Sequence, residues 1–309
     1  MTTSMDAFTR SDEPETAPDG SPLEIVVIGA GTMGAGIAGV FAAAGWIARL
    51  HDVDLVAVER GIARVERDLE RAVLRGTLVA GDREAAAARL YPAPELPAAL
   101  GKASLVIEAI VEREDAKAAL LATVGEHAPA DALIASNTSS ISISRLARRV
   151  AGPGRVLGLH FFNPVASLPL VEVVRGAETT DEATQRAHDI IRGIGKSPVV
   201  VNDAPGFVGN RLLLPMINEA IICLEQGVAD REAIDAVMTL GMKHPIGPLA
   251  LADLIGLDVC LAILDVLHRD LGDEKYRPAR SLVDMVAAGT LGRKSGEGFF
   301  TYRDGRVQS

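Results

Sequence analysis

A histidine, two aromatic residues and an asparagine precede a proline in the stretch HFFNP, residues 160–164. The apolar run before it, residues 155–159, is typical of a strand that leads into a loop. Histidine is the side chain that can most easily accept or release a proton near neutral pH. A single histidine is more often structural than catalytic, so His160 becomes a catalytic candidate only through its surroundings.

Glu172 is the first of these surroundings. It lies within the aliphatic run LPLVEVV, residues 168–174, which is typical of a strand. Burying an ionised carboxylate without a partner is costly. Glu172 therefore either faces solvent on an alternating strand or pairs with a group inside the protein, and His160 is the obvious partner.

A glycine-rich turn opens the patterned part of the chain. The apolar run EIVVI, residues 24–28, suits a central parallel strand, and GAGTMG and a helix of small residues follow it. In a dinucleotide-binding turn the first glycine makes the bend, the second admits a pyrophosphate and the third lets the helix pack on the strand. The strand before the turn and the helix after it make this interpretation specific. The predicted cofactor-binding residues of the turn are Gly29, Ala30, Gly31, Thr32, Met33 and Gly34.

An acidic residue ends the second predicted strand. Asp52 comes 18 residues after Gly34, where a carboxylate would bind the ribose hydroxyls of NAD. The same carboxylate would repel the additional phosphate of NADP, and Val53 after it offers no basic alternative. The predicted cofactor is therefore NAD.

Polar residues follow another strand-like run in the cluster SNTSS, residues 136–140. Such a cluster can simply cap a helix. Ligands of open parallel sheets, however, bind beyond the carboxyl ends of the strands, so at least one of these hydroxyls is a ligand candidate. Asn210 lies one turn into a predicted helix at a domain junction, where clefts usually form.

Length and composition limit the class of protein. The 309 residues exceed most single cores, which favours two domains, and a hydrophobic content of 48% argues against a disordered protein. The net charge of −10 argues against a nucleic-acid partner. No apolar run reaches the roughly 18 residues that span a bilayer, and no signal peptide is recognisable before the first strand. Cys223 and Cys260 do not have the spacing of metal ligands. We therefore predict that both are reduced residues of the core, as in a cytoplasmic protein.

The pattern along the chain predicts three segments. Residues 1–22 are polar and aperiodic, which predicts a disordered tail. Residues 23–203 alternate strand-like and helical runs, which predicts an α/β domain with a Rossmann-type doubly wound sheet and one long helix over residues 54–81. Residues 204–309 predict a smaller all-helical C-terminal domain, with helices over 207–226, 229–240, 249–271 and 279–288.

These motifs together resemble the 3-hydroxyacyl-CoA dehydrogenase family, most of all its single-function 3-hydroxybutyryl-CoA members. The resemblance covers about residues 23–303. The segments that carry it are GAGTMGAGIA, EAIVE, SNTSS, HFFNP, LVEVV, PGFVGNRLL, HPIGPLALAD and GRKSGEGF.

The resemblance implies a role for each matching residue. His160 corresponds to the catalytic histidine and Glu172 to its acidic partner, while Ser139 and Asn210 would hydrogen-bond the substrate. Arg75 matches a basic position for the CoA moiety, but Asp68 replaces a family serine on the same helix, which leaves acyl-carrier recognition open. Further cofactor contacts, around the nicotinamide half and the rim, would be Glu112, Lys117, Ser139, Asn163 and Lys294.

The resemblance implies the reversible oxidation of a (3S)-3-hydroxyacyl-CoA by NAD, with His160 as general base and without a metal. It also implies a homodimer formed through the helical domain.

One alternative is a crystallin-like relative that oxidises free sugar acids such as L-gulonate, although Phe161, Phe162 and the arginine-bearing helix favour an acyl thioester. A second is an acyl-carrier-protein thioester as substrate, which Asp68 keeps open. A third alternative is a regulator that binds the cofactor without turnover. The presence of all the predicted catalytic residues argues against it.

Overall fold

A computed structural model describes residues 21–303 and 306–308 of the protein. The chain divides into two compact units, one ending at Asp203 and the other beginning at Ala204. The predicted disordered tail falls outside the described residues, except for Ser21 and Pro22, and remains a prediction.

The first unit contains an eight-stranded sheet in the order β3-β2-β1-β4-β5-β6-β7-β8. Neighbouring strands are parallel except for β6 and β7. This mixed sheet with helical connections confirms the predicted Rossmann-type class. The strands are β1 Glu24–Ile28, β2 Ile47–His51, β3 Leu90–Pro92, β4 Leu105–Glu108, β5 Leu133–Ser136, β6 Val156–Phe161, β7 Leu170–Arg175 and β8 Ser197–Asn202.

Helices connect the parallel strands, as right-handed crossovers require. One helix differs from prediction: the segment 54–81 does not form one long helix. The second helix ends at Leu74, Gly76 takes a left-handed φ of 73°, and a new helix begins at Ala80. The helices are α1 Thr32–Ala43, α2 Leu55–Leu74, α3 Ala80–Ala87, α4 Leu96–Leu100, α5 Glu114–His127, α6 Ile143–Ala147 and α7 Asp181–Gly193.

The central strands β4 and β5 are apolar up to their last residue, as expected for strands covered on both faces. Every residue of β4 and β5 is buried, including the polar Glu108 and Ser136 at their carboxyl ends. Buried polar groups need hydrogen-bond partners, so these two positions mark a polar network at the edge of the sheet.

The pairing of β6 with β7 is antiparallel, so the short loop 162–169 suffices to connect them. Its register places His160 directly opposite Glu172. Directly opposed residues lie on the same face of a sheet. Strand pairing itself therefore brings the histidine and the carboxylate together.

The second unit is built mainly from helices around its own core. The predicted helix 249–271 is divided at Gly256, whose φ of 105° suits no other residue well. The predicted helix 229–240 is a short α-helix followed by a π turn, Val237–Gly241. The helices are α8 Gly209–Glu225, α9 Arg231–Ala236, α10 Pro248–Ile255, α11 Leu257–Leu271 and α12 Arg280–Ala287, and a small antiparallel pair follows, β9 Tyr302–Arg303 and β10 Arg306–Val307.

Asp253 ties the C-terminal segment to this helical unit. Its buried carboxylate accepts bonds from the backbone N–H groups of Phe299 and Phe300, each at 2.9 Å, and from the Tyr302 hydroxyl at 3.0 Å. Burial raises the pKa of Asp253, although these three bonds oppose the shift. A Cβ at Gly298 would overlap the carboxylate, so the glycine is required for the close approach.

The two cysteines are free thiols. Cys260 is completely buried, as predicted, and burial raises the pKa of its thiol to about 12. Cys223 is half-buried. Within residues 21–303 and 306–308, no helix is both long and apolar enough to cross a membrane.

Candidate active site

Two glycines of the GAGTMG turn are required by the packing of the chain itself. Gly29 has a φ of 107°, and a Cβ there would lie 2.5 Å from the carbonyl oxygen of Ala109. A Cβ at Gly34 would overlap the carbonyl oxygen of Gly29. The first glycine therefore makes the bend, and the third lets α1 pack against β1.

The second glycine has a different explanation. A Cβ at Gly31 would meet no protein atom within 4 Å, so packing does not account for the missing side chain. Gly31 caps the N-terminus of α1 without a side-chain hydrogen bond to the first N–H groups. Free N–H groups at a helix N-terminus favour phosphate, and a bare backbone lets it approach. The turn therefore fits a dinucleotide pyrophosphate.

Asp52 lies against this turn. Its carboxylate accepts a bond from the N–H of Ala30 at 2.8 Å and one from the N–H of Asp54 at 3.1 Å. The carboxylate is thereby fixed at the carboxyl end of β2, as a ribose contact requires. Arg64 of α2 reaches the same turn and donates to the hydroxyl of Thr32 at 3.2 Å, which the sequence did not assign.

His160 and Glu172 form a buried pair. Nδ1 of His160 lies 2.7 Å from Oε2 of Glu172, and the two residues are only 7% and 2% exposed. An ionised carboxylate can only accept, so Nδ1 carries the hydrogen in this contact. Glu172 does not face solvent, and of the two arrangements open from the sequence the structure has the paired one.

Glu108, at the end of β4, organises a second buried network that the sequence analysis missed. Oε1 accepts from the ammonium of Lys117 at 2.6 Å and from the N–H of Ile110 at 2.7 Å. Oε2 accepts from the hydroxyl of Ser136 at 2.6 Å. Lys117 is 1% exposed, so its ammonium is enclosed by protein groups.

The network continues through Lys117 to Glu112, whose Oε2 lies 3.3 Å from the ammonium. Oε1 of Glu112 accepts from the Thr138 hydroxyl at 2.5 Å, from the N–H of Ser139 at 3.0 Å and from the Ser139 hydroxyl at 3.4 Å. Burial alone would raise the pKa of Glu112, but Lys117 and these donors together lower it. An ionised Glu112 thus holds the SNTSS segment.

The loop that follows His160 is linked to the same segment. The N–H of Phe161 donates to the side-chain oxygen of Asn137 at 2.9 Å, and the ring of Phe162 lies 4.5 Å from that of His160, centre to centre. Asn163 comes next, exposed, with a cis bond to Pro164. The predicted residues His160, Ser139 and Asn163 thus lie on strand ends and loops that hydrogen bonds connect.

Other predicted residues belong to other elements of the chain. Arg75 is an exposed residue that caps the C-terminus of α2, and Asp68 pairs with Arg71 at 3.3 Å on the same helix. In the second unit, Asn210 is buried in α8, and the ammonium of Lys294 lies 2.5 Å from Asp258.

This sheet order, the glycine turn with its acidic partner and the buried histidine–carboxylate pair together define a nicotinamide-dinucleotide dehydrogenase. The chain belongs to the 3-hydroxyacyl-CoA dehydrogenase family: the family's NAD binding domain matches residues 24–204 and its C-terminal domain residues 206–302. It is accordingly an NAD-dependent oxidoreductase, as predicted, and NAD is its cofactor.

Curated relatives and a solved structure agree with this assignment. A probable 3-hydroxybutyryl-CoA dehydrogenase of Bacillus subtilis is 48% identical over 91% of this chain and 98% of the relative. The 3-hydroxybutyryl-CoA dehydrogenase of Bradyrhizobium diazoefficiens is 45% identical over 91% of this chain and 95% of the relative. The crystal structure of (S)-3-hydroxybutyryl-CoA dehydrogenase from Ralstonia eutropha superimposes with a TM-score of 0.88, at 43% identity over 92% of this chain and all of that one (100%).

Proposed function

We propose that this protein catalyses the reversible oxidation of (3S)-3-hydroxyacyl-CoA to 3-ketoacyl-CoA with NAD, and that 3-hydroxybutyryl-CoA is its substrate. The buried contact between His160 and Glu172 at 2.7 Å carries the proposal, because it supplies an oriented proton acceptor. The names of the relatives in Bacillus, Bradyrhizobium and Ralstonia support the choice of substrate.

The proton transfer uses both nitrogens of the imidazole. Nδ1 stays hydrogen-bonded to Glu172, which fixes the ring and its tautomer. The proton of the C3 hydroxyl then moves to Nε2 of His160, and the carboxylate of Glu172 stabilises the imidazolium that forms. NAD supplies the hydride acceptor for the hydrogen that leaves C3.

Ser139 is proposed to donate a hydrogen bond to the C3 oxygen. Its backbone N–H donates to Glu112 at 3.0 Å, which fixes the residue beyond the end of β5. The hydroxyl has a single hydrogen and lies 3.4 Å from the same carboxylate, so it would turn from Glu112 to the C3 oxygen when substrate binds. Donors aimed at a reacting oxygen stabilise the charge that develops there. The matching role of Asn210 rests on the family resemblance alone.

The cofactor is proposed to lie on the GAGTMG turn, with Asp52 on the ribose and with Glu112, Ser139, Asn163 and Lys294 around the nicotinamide half. Lys117 was expected among these contacts. Its ammonium is enclosed by Glu108, Glu112 and the carbonyl of Ile110, so we assign it an indirect role through Glu112.

Several further assignments belong to this proposal. The first unit is proposed to bind NAD, the second to bind substrate and form a homodimer, and Arg75 to contact CoA. The free state of both cysteines is compatible with the cytoplasm, which we propose as the location.

The decisive test is an NADH absorbance assay with three substrates. Acetoacetyl-CoA should be reduced, an acetoacetyl carrier-protein thioester should react far more slowly, and L-gulonate should not reduce NAD. His160→Gln should bind NADH normally and lose the acetoacetyl-CoA reaction. Faster reduction of the carrier-protein thioester, or turnover of L-gulonate alone, would replace the proposed substrate.

A further inference from the structure

Lys196 is a buried cation that the proposed reaction does not use. It lies between α7 and β8 and is 4% exposed. Its ammonium donates to the backbone carbonyl oxygens of Val165 at 2.6 Å, Leu168 at 2.9 Å and Ala166 at 3.4 Å. Among the described residues, no carboxylate forms an ion pair with it.

Such an arrangement is energetically unusual. A buried ammonium is normally neutralised by a carboxylate, because taking an isolated charge out of water is costly. Burial accordingly lowers the pKa of Lys196 to about 8. The ammonium of Lys196 donates hydrogen bonds to three backbone carbonyl groups of a loop, where no neighbouring strand supplies a donor.

The loop in question is the connection between β6 and β7, residues 162–169, which directly follows His160. The N–H groups of Ser167 and Leu168 both donate to the carbonyl of Pro164, which closes a turn. Val165 is its one fully buried side chain, and it packs so closely on α1 that a Cβ at Gly36 would lie 3.0 Å from it. The Lys196 ammonium therefore binds the backbone of this loop from its buried side.

The loop also carries two groups of the candidate site. Phe162 packs its ring against the imidazole of His160, and the exposed Asn163 is a proposed contact of the nicotinamide half. Asn163 lies two residues before Val165, whose carbonyl makes the shortest bond to the Lys196 ammonium. Displacing that carbonyl would displace the Asn163 amide with it.

We propose that Lys196 is a positioning residue for the cofactor: its ammonium holds the backbone of the 162–169 loop so that Asn163 can bind the nicotinamide half. The inference rests on the role proposed above for Asn163. It differs from a purely structural role in one respect: the effect of Lys196 on the cofactor must pass through Asn163.

A double-mutant cycle on NADH binding tests this, with NADH fluorescence as the readout and no acyl substrate present. Lys196→Met keeps the length of the side chain and removes the ammonium, and it should weaken NADH binding about tenfold, the lower range for loss of a residue that orients a ligand at metal sites. Asn163→Ala should weaken binding to a similar extent. The double variant should be little weaker than either single variant, because coupled residues are not additive.

The control is Lys102→Met, which removes an exposed lysine from the same unit and should bind NADH like the wild type. If Lys196→Met does not fold at the assay temperature, Lys196→Gln, which keeps a neutral donor, takes its place in the cycle. The inference would be overturned if the losses of NADH affinity in the two single variants multiplied in the double variant. It would also be overturned if either the Lys196 variant or Asn163→Ala bound NADH like the wild type. If the wild type does not reduce acetoacetyl-CoA, the proposed substrate is refuted, but the NADH-binding results still test the role of Lys196.

Discussion

His160 and Ser139 each depend on a carboxylate, and the two carboxylates are held in different ways. Glu172 is a strand residue, 2% exposed, and the register of β6 with β7 places it opposite His160. The side chain of Glu112 is 39% exposed and lies in the connection between β4 and α5. Lys117 and the donors of the SNTSS segment hold it there.

The two arrangements are sensitive to substitution at different places. Backbone pairing sets the position of Glu172, so a substitution there changes the chemistry of one pair and leaves the sheet intact. Glu112 shares its cation with the fully buried Glu108, so damage at Lys117 reaches two carboxylates at once. The first arrangement is local and the second is a network, and four measurements separate them.

The largest effect should come from the cation of the network. Lys117→Met leaves Glu108 buried without a positive partner, so we expect the free energy of unfolding to fall by about 3–5 kcal/mol, as when other buried pairs are broken. Urea denaturation measures this. Adding Glu108→Gln to Lys117→Met should recover much of the loss, whereas Lys102→Met should have almost no effect. Wild-type stability in Lys117→Met would contradict the network.

Ser139→Ala tests the residue that the network holds. We expect kcat for acetoacetyl-CoA to fall by at most the loss of about 2.7–4 kcal/mol that one oxyanion donor contributes in a well-studied hydrolase, and by a larger factor than the NADH affinity. Ser167→Ala, in an exposed part of the 162–169 loop, is the matched control. Ser136 cannot serve as a control because its hydroxyl donates to Glu108. If kcat is unchanged in Ser139→Ala, the serine only caps a helix and does not contact the substrate.

Glu172→Gln tests the local pair. The amide keeps the shape and removes the charge, so we expect kcat to fall at least about tenfold, which is part of the roughly 10²–10⁴-fold that general acid–base catalysis contributes. NADH affinity and urea stability should change little. Glu178→Gln, an exposed glutamate beyond β7, is the matched control. Equal kcat in the two variants would leave His160 working without Glu172.

The smallest effect should be a pH dependence at Glu112. The pKa of this carboxyl is lowered in the folded protein, so the unfolded chain binds protons more readily in acid. The stability that Glu112 contributes is therefore present above its unfolded pKa and is lost as the pH falls through the folded pKa. Denaturation of the wild type and Glu112→Gln should show a stability difference that shrinks as the pH falls below about 4.5. A difference independent of pH would show that the charge of Glu112 does not stabilise the protein.

The same contrast explains what the sequence could predict. The strand, glycine turn and helix at residues 24–43 follow from local periodicity and from the conformational needs of glycine. The cost of burying a charge in an aliphatic strand left two arrangements open for Glu172, exposure to solvent or pairing, and named His160 as the partner in the second. These are properties of a short segment or of a single residue.

The rest depends on distant segments. The contact of Glu108 with Lys117 requires the carboxyl end of β4 and one face of α5 to meet, and apolar periodicity does not specify that meeting. Lys196 donates to carbonyl groups, which every residue has, so its side chain type gives no signal of its partners. The helix break at Gly256 was missed because an isolated glycine is also tolerated within a helix.

The antiparallel neighbours β6 and β7 also bear on how such enzymes can diversify. Because the ladder of backbone hydrogen bonds keeps His160 opposite Glu172, residues can be gained or lost at exposed positions of the connecting loop without separating the two. Selection can then act on the loop, and so on how Asn163 meets the cofactor, while the histidine–carboxylate pair is inherited unchanged.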